Sequence, residues 1–163
     1  MHAQLTASED QQLILDAWVQ AIQSGNQAFS SGNNKKARVS YQTALRVVRS
    51  MVKSTDGWGY AIPEHQVDAI MAALVVSQHN LADLYVHAGL LGRAAEHLCA
   101  AHQAIFDLLR HPVDSVAELA QRHLNMTRME LMTFLQSYGD YPLISQTLCA
   151  TQMPFPRNSP LTH

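Results

Sequence analysis

Residues Gly25–Leu45 read GNQAFSSGNNKKARVSYQTAL, and the small residues in this stretch stand at defined intervals. Five positions follow one another at offsets of seven, five, four and three residues: Gly25, Gly32, Ala37, Tyr41 and Ala44. A second stretch repeats these offsets at Ala82, Gly89, Ala94, Leu98 and Ala101. Small residues at such intervals, with a Gly between the two halves, are what two tightly packed antiparallel helices require. The spacing therefore predicts an all-α fold built from helical hairpins.

The two stretches resemble the tetratricopeptide repeat, a hairpin of two helices called A and B. The run from Gly25 to Leu45 is similar to the family's run from the small residue of helix A to the alanine that ends the helix B signature. Residues Asn80–Tyr85, followed by Gly89, are similar to helix A of kinesin light chain repeats. The resemblance implies a right-handed array of antiparallel hairpins. The copies begin 57 residues apart, whereas the family period is about 34, so we expect unusually long second and third helices.

The predicted domain organisation is simple. We expect one helical domain of this repeat type over residues 1–150 and an extended or mobile Pro-rich tail over 151–163. Within the domain, repeat one covers about 10–54, repeat two about 63–110 and the C-terminal capping helices about 115–149. The third unit is read as a cap because terminal units need a different outer face.

Start and stop signals divide the domain into about six helices. Their predicted bounds are about 8–31, 33–54, 63–88, 89–110, 115–137 and 141–149. The start signals are two capping boxes, one Asn cap and one N-terminal Pro: Ser8 with Gln11, Ser115 with Glu118, Asn33, and Pro63.

Composition limits the classes of partner. The chain has 163 residues, a net charge of −2 and 47% hydrophobic residues, which favours one soluble domain and no nucleic-acid or anionic-membrane partner. We expect no apolar run long enough to span a bilayer and no secretory signal at the N-terminus. Cys99 and Cys149 form no metal or redox spacing, so the predicted location is the cytoplasm, with no metal and no cofactor.

The resemblance also implies a binding surface, because helix A positions line the concave groove of such arrays. These positions are Val19, Ile22, Asn26, Phe29, Ser30, Val76, His79, Asn80, Asp83, Val86 and His87. Apolar patches mixed with amide, carboxylate and imidazole groups suit a peptide or helix of a partner protein. The alternative is that these positions form only a solvated helix face.

Two more specific sites are disfavoured by the residues themselves. Asn26 and Asn80 match the two asparagine positions of the carboxylate clamp of heat-shock co-chaperones, but Ile22 and Glu118 stand where that clamp needs lysines. A carboxylate needs positive charge to offset its desolvation. A metal site on the helix that carries Asp83 would have to join histidines eight residues apart, which is about 12 Å along the axis.

Three apolar groups have predicted structural roles. The methionines spaced three apart on the fifth helix are expected to fill the core, and the aromatic residues of the 57–60 loop to cover the end of the bundle: Met126, Met129, Met132, Trp58 and Tyr60. An apolar strip on the second and third helices could be covered by a second subunit, which makes a homodimer possible. The strip is Val47, Val48, Met51, Val52, Ile70 and Leu74.

Three classes of function remain after these exclusions. No phosphate loop, nucleophile elbow or zinc spacing is present in the sequence. The predicted function is therefore a non-catalytic interaction module or adaptor that binds a protein or peptide partner in its groove. The alternatives are a small dedicated chaperone resembling the repeat-containing secretion chaperones, and an enzyme whose site is assembled only in three dimensions.

Overall fold

A computed structural model describes residues 2–53 and 55–152, with side chains from residue 9 onward. This part of the chain forms six α-helices and no β-strand, which confirms the all-α prediction. A single turn of 3₁₀ helix, Leu108–Arg110, follows α4. The α-helices are α1 His2–Ser30, α2 Asn34–Val52, α3 Glu64–His87, α4 Leu91–Asp107, α5 Asp114–Tyr138 and α6 Pro142–Ala150.

One of the predicted helix starts is confirmed and the others are wrong. The Asn33 side chain accepts a 3.0 Å hydrogen bond from the backbone N–H of Lys36 and so caps α2. α1 begins at His2, so Ser8 lies inside the helix. α5 begins one residue before Ser115, because the extended Val113 already forms the helix boundary. Pro63 is likewise the extended residue before α3, not its first helical residue.

Consecutive helices pack against each other along the chain. α1 packs on α2, α2 on α3, α3 on α4 and α4 on α5, while the short α6 packs on α4 and α5. α3 also contacts α1 and α5. α3 therefore contacts four other helices and lies at the centre of the fold.

Small residues allow the two predicted close crossings. A Cβ atom added to Gly25 would collide with the Tyr41 ring, so α1 and α2 can approach this closely only with glycine there. Ala82 is 1% exposed and shares a hydrophobic cluster with Leu98 of α4. Both crossings predicted from the spacing are confirmed.

Buried polar groups tie distant helices together. The Trp18 indole N–H donates a 2.7 Å hydrogen bond to Ser77 Oγ, which links α1 to α3. His102 is fully buried, and its ring nitrogens lie 2.8 Å from Thr127 Oγ1 of α5 and 2.9 Å from Thr151 Oγ1 after α6. Burial lowers the pKa of His102 to about 4, with a smaller contribution from Arg128. The predicted tail thus starts later than residue 151, since Thr151 is anchored, and residues 153–163 lie outside the described residues.

The predicted roles of the aromatic loop and of the methionines hold only in part. Trp58 is buried and stacks on His111 at a ring distance of 6.5 Å, as expected, but Tyr60 is exposed. Met126, Met129 and Met132 are 62%, 68% and 48% exposed, so they do not fill the core. The buried side of α5 instead carries residues such as Leu124 and Leu131.

Most of the apolar surface expected to favour a homodimer is covered within the chain, although Val47 and Val52 are only half-buried. Val48 and Ile70 are fully buried, and Met51 and Leu74 are 3% exposed. By length and composition α3 could span a membrane, contrary to the sequence expectation, but 56% of its most apolar window is buried inside the fold. Packing of α3 against α2, α4 and α5 accounts for both apolar features.

Candidate functional site

The exposed side of α1, α3 and α5 carries most of the predicted groove residues, and we call it the groove face. Its centre is Asn26, whose Oδ1 accepts a 2.9 Å hydrogen bond from the Tyr41 hydroxyl and a 3.4 Å bond from Asn80 Nδ2. Burial and the charge of Asp83 raise the pKa of Tyr41, so the phenol remains a donor. One amide oxygen therefore fixes the relative positions of α1, α2 and α3 at this face.

Aromatic and imidazole rings meet at the turn end of the groove face. Phe29 of α1 and His87 of α3 form an edge-to-face contact with their ring centroids 5.5 Å apart. Phe29 is half-buried and His87 is exposed, so one side of this ring pair remains open to a ligand. Such half-exposed aromatic rings are frequent anchors in protein interfaces.

Ionisable groups from two helices face each other between α3 and α5. Burial lowers the pKa of His79, although Glu130 and Asp83 oppose this effect. Burial also raises the pKa of Asp83, with His79 opposing and Glu130 adding to the rise. The Nε2 atom of His79 is buried and has no hydrogen-bond partner among the described residues. This imidazole therefore retains an unused hydrogen-bonding atom beside two carboxylates.

A cavity of about 170 Å³ opens beside these carboxylates, and we call it the acidic cavity. It combines Asp83 and Glu130 with hydroxyl groups and an apolar wall. Its lining residues are Ala82, Asp83, Val86, Leu98, Glu130, Thr133, Phe134, Ser137 and Tyr138. Neither carboxylate forms an ion pair in the described part of the chain. The cavity can accept an apolar stem that ends in a positive charge.

Not every predicted groove residue lies on this face. Ile22 is 8% exposed and belongs to the core, since it follows Leu15 by two helical turns on the side of α1 that packs inward. Val19 and Val76 are 39% and 37% exposed, while Ser30 is exposed at the end of α1. The remaining predicted residues are exposed or half-buried on α1 and α3: Asn26, Phe29, His79, Asn80, Asp83, Val86 and His87.

Sequence reasoning missed the contribution of α5. The residues predicted for the groove all lie on α1 and α3, whereas the acidic cavity also uses residues of α5, including Glu130 and Phe134. The sequence does contain a spacing that points to this side of α5, because His123 and Glu130 are seven residues apart and therefore lie on the same side of the helix. His123 Nε2 contacts Asp68 of α3 at 2.7 Å, which identifies that side as the one facing α3.

Metal binding has no support in the described residues. Within residues 2–53 and 55–152, no three His, Cys, Asp or Glu side chains come together to hold an ion. His79 and Asp83 share one side of α3 and interact electrostatically with Glu130, but these three side chains do not form a group that could hold a metal ion. The arrangement is suited to hydrogen bonding and charge pairing with a ligand.

The comparisons with known proteins identify a family without a known activity. A family model described as "Protein of unknown function (DUF2753)" matches residues 16–158, which is most of the chain. None of the curated proteins and none of the solved structures compared with the chain matches it significantly.

Proposed function

The chain belongs to the DUF2753 family of proteins of unknown function, and for it we propose a non-catalytic role in binding a peptide or helix of a partner protein. The groove face is the proposed binding surface. The role is that of an interaction module or adaptor. Cys99 and Cys149 are free thiols, which is compatible with a reducing compartment, so we place this role in the cytoplasm.

The observation that carries this proposal is the exposed polar and aromatic surface shared by three helices. Asn26 and Asn80 are hydrogen-bonded across α1 and α3, and Phe29 and His87 are in ring contact further along the same helices. These contacts preorganise the surface without burying it. A preorganised surface loses little conformational entropy when a ligand binds, so more of the contact energy becomes affinity.

We further infer that the helices form an array of the tetratricopeptide type. The close crossings at Gly25 and Ala82, and the contacts of α3 with both α1 and α5, support this arrangement. In such an array the odd-numbered helices line the ligand side. The exposed groups of α1, α3 and α5 would then act together on one bound segment.

The acidic cavity favours a partner that carries a basic side chain. A lysine or arginine could lay its methylene groups against Val86 and Phe134 and place its charge between Asp83 and Glu130. Two carboxylates without an ion-pair partner would each gain a charge-assisted hydrogen bond. An acidic segment would be repelled at the same point.

A library of phage-displayed random 12-residue peptides, selected on the full chain, tests the proposal. Enriched peptides would be labelled, and their dissociation constants measured by fluorescence anisotropy. We expect Phe29→Ala to weaken binding about 10-fold and Asn80→Ala about 5-fold, because each removes one contact of the groove face. The matched control is Val39→Ala, since Val39 is 55% exposed on α2 and outside the groove face.

Circular dichroism of each variant separates lost binding from lost folding. Peptides that bind Phe29→Ala and Asn80→Ala as tightly as the unmodified chain would contradict the proposal. A selection that yields no saturable binder would contradict it as well.

A further inference from the structure

A large cavity in the described part of the chain lies on the side of α3 opposite the groove face. It has a volume of about 520 Å³ and is formed by α2, α3 and α4. Its lining residues are Gln42, Leu45, Arg46, Arg49, Ser50, Lys53, Leu81 and His97. We call it the basic cavity. This volume lies within the range of about 300–1,000 Å³ that is typical of small-molecule sites.

Three cations from the C-terminal part of α2 and its C-cap line this cavity. Arg46, Arg49 and Lys53 are spaced by three and four residues, so their side chains project from one side of α2. The ion pairs in the described residues join Arg93 to Glu96 and His123 to Asp68, and neither involves these cations. Their charges therefore remain uncompensated by the chain itself.

A second, more apolar cavity lies next to the first and shares lining residues with it. It has a volume of about 220 Å³ and is also lined by Arg49 and Lys53. Its other lining residues are Val52, Leu74, Gln78, Ala100 and Ala104. Arg49 and Lys53 thus line both the basic cavity and the apolar cavity.

A fixed imidazole forms part of the cavity wall. Nδ1 of His97 donates a 2.6 Å hydrogen bond to Gln78 Oε1, and its ring stacks on Tyr85 with centroids 5.4 Å apart. Burial lowers the pKa of His97, as do Arg49 and Arg93, while Glu96 opposes them. The wall is therefore rigid and neutral, and the positive charge of the cavity comes from α2.

We propose that this paired cavity binds a small amphiphilic anion, a phosphate or carboxylate attached to an apolar group. The oxyanion lies among Arg46, Arg49 and Lys53, where each cation donates to its oxygens. The apolar group enters the second cavity beside Val52 and Ala104. This site is separate from the groove face and does not depend on the proposed peptide binding.

The probes for the test are n-hexyl phosphate, inorganic phosphate and n-hexanol, titrated into the full chain by isothermal calorimetry. We expect n-hexyl phosphate to bind saturably and at least about 10-fold more tightly than inorganic phosphate, because only it fills the apolar cavity. The double substitution Arg49→Gln/Lys53→Gln is expected to weaken binding about 10-fold or more. The matched control is Lys36→Gln, which removes an α2 cation that does not line either cavity.

A second variant keeps the test informative if the double substitution impairs folding. Ala104→Leu fills the apolar cavity and is expected to reduce the affinity for n-hexyl phosphate to that for inorganic phosphate. Equal affinities for the two phosphates in the unmodified chain would overturn the proposal, as would absence of saturation. An equal loss in Lys36→Gln would indicate diffuse charge attraction and overturn it. Saturable binding of the acidic peptide acetyl-Asp-Glu-Leu-Phe-amide, without binding of n-hexyl phosphate, would assign the cavity to a protein partner instead.

Discussion

The two sides of α3 present opposite charges although they are built from neighbouring residues. Asp83 faces the acidic cavity with Glu130, whereas Leu81, two residues earlier, lies in the wall of the basic cavity with Arg46 and Arg49. The net charge of −2 reveals neither region. One central helix can thus separate two surfaces whose ligands would differ in sign, because residues two apart on a helix point in different directions.

A large effect on stability is expected from adding bulk at Ala82, where α3 packs on α4. Ala82→Leu adds bulk to a residue that is 1% exposed and lines the acidic cavity, and should lower the free energy of unfolding by about 1–3 kcal/mol. Urea unfolding measures this change. The control is Val76→Leu on the same helix, where the side chain is 37% exposed and little change is expected. An equal loss in both variants would argue against a close crossing at Ala82.

Acid should lower the free energy of unfolding through His102, which links α4 to α5. His102 has a pKa of about 4 in the folded chain, below its usual value near 6.5, so the unfolded chain binds its proton first as the pH falls. Its contribution is complete above about pH 6.5, and about 3 kcal/mol is lost between there and pH 4. The comparison is urea unfolding at pH 7 and 4.5 for the unmodified chain and for His102→Gln.

The His102→Gln variant should lose less stability between the two pH values, because glutamine does not titrate. An identical loss in both proteins would mean that other groups determine the acid sensitivity. The hydrogen bonds of His102 go to Thr127 of α5 and to Thr151, neither of which lines the basic cavity. Acid should therefore act on the α5 side of the fold.

Removing the charges of the acidic cavity should affect only ligands of the groove face. Asp83→Asn or Glu130→Gln is expected to weaken the binding of a basic peptide by about 1–2 kcal/mol, as measured by fluorescence anisotropy. Neither substitution should change the binding of n-hexyl phosphate. Equal weakening of both ligands would show that the two surfaces are not independent.

The same peptide should bind less tightly in mild acid. The raised pKa of Asp83 means that this carboxylate loses its charge at a higher pH than an ordinary aspartate. Because the pKa of His79 is lowered, its ring gains a positive charge, which would repel a basic peptide, only at a lower pH than an ordinary histidine. Glu130 of α5 is the other carboxylate that faces His79 and Asp83. Protonation of Asp83 should therefore lower the affinity for the basic peptide as the pH falls. In Asp83→Asn the affinity should depend less on pH, because asparagine does not titrate.

The smallest effect is expected on α5 outside both cavities. Met129 is 68% exposed and lines neither cavity, so Met129→Gln should change the free energy of unfolding by less than about 0.5 kcal/mol and alter neither ligand affinity. A larger loss of stability in urea unfolding would show that something covers this side chain in solution.

The hairpins were predictable because their cause is local. Gly25 and Tyr41 sit at a spacing that brings two helices into steric contact, and the sequence shows that spacing directly. The cap at Asn33 was predictable for the same reason, since its hydrogen bond reaches only to Lys36. Neither feature depends on distant parts of the chain.

The site was harder to predict because its parts come from distant segments. Asp83 and Glu130 meet only through the packing of α3 on α5, and no binding residue was predicted on α5. Helical periodicity alone could not tell that Met126 is uncovered or that Ile22 is buried, because burial depends on which neighbouring helix is present. No site was predicted at the cations of α2, because the cavity that they line also needs residues of α3 and α4.

The most direct test of the central claim is a ¹H–¹⁵N NMR titration of the full chain with one library-selected peptide. We expect the largest changes in amide chemical shift around Asn26, Asn80, Asp83 and Glu130. The amide chemical shifts of Arg49 and Lys53, on the other side of α3, should stay unchanged. Shifts concentrated on α2 and α4, with the groove face unaffected, would contradict it.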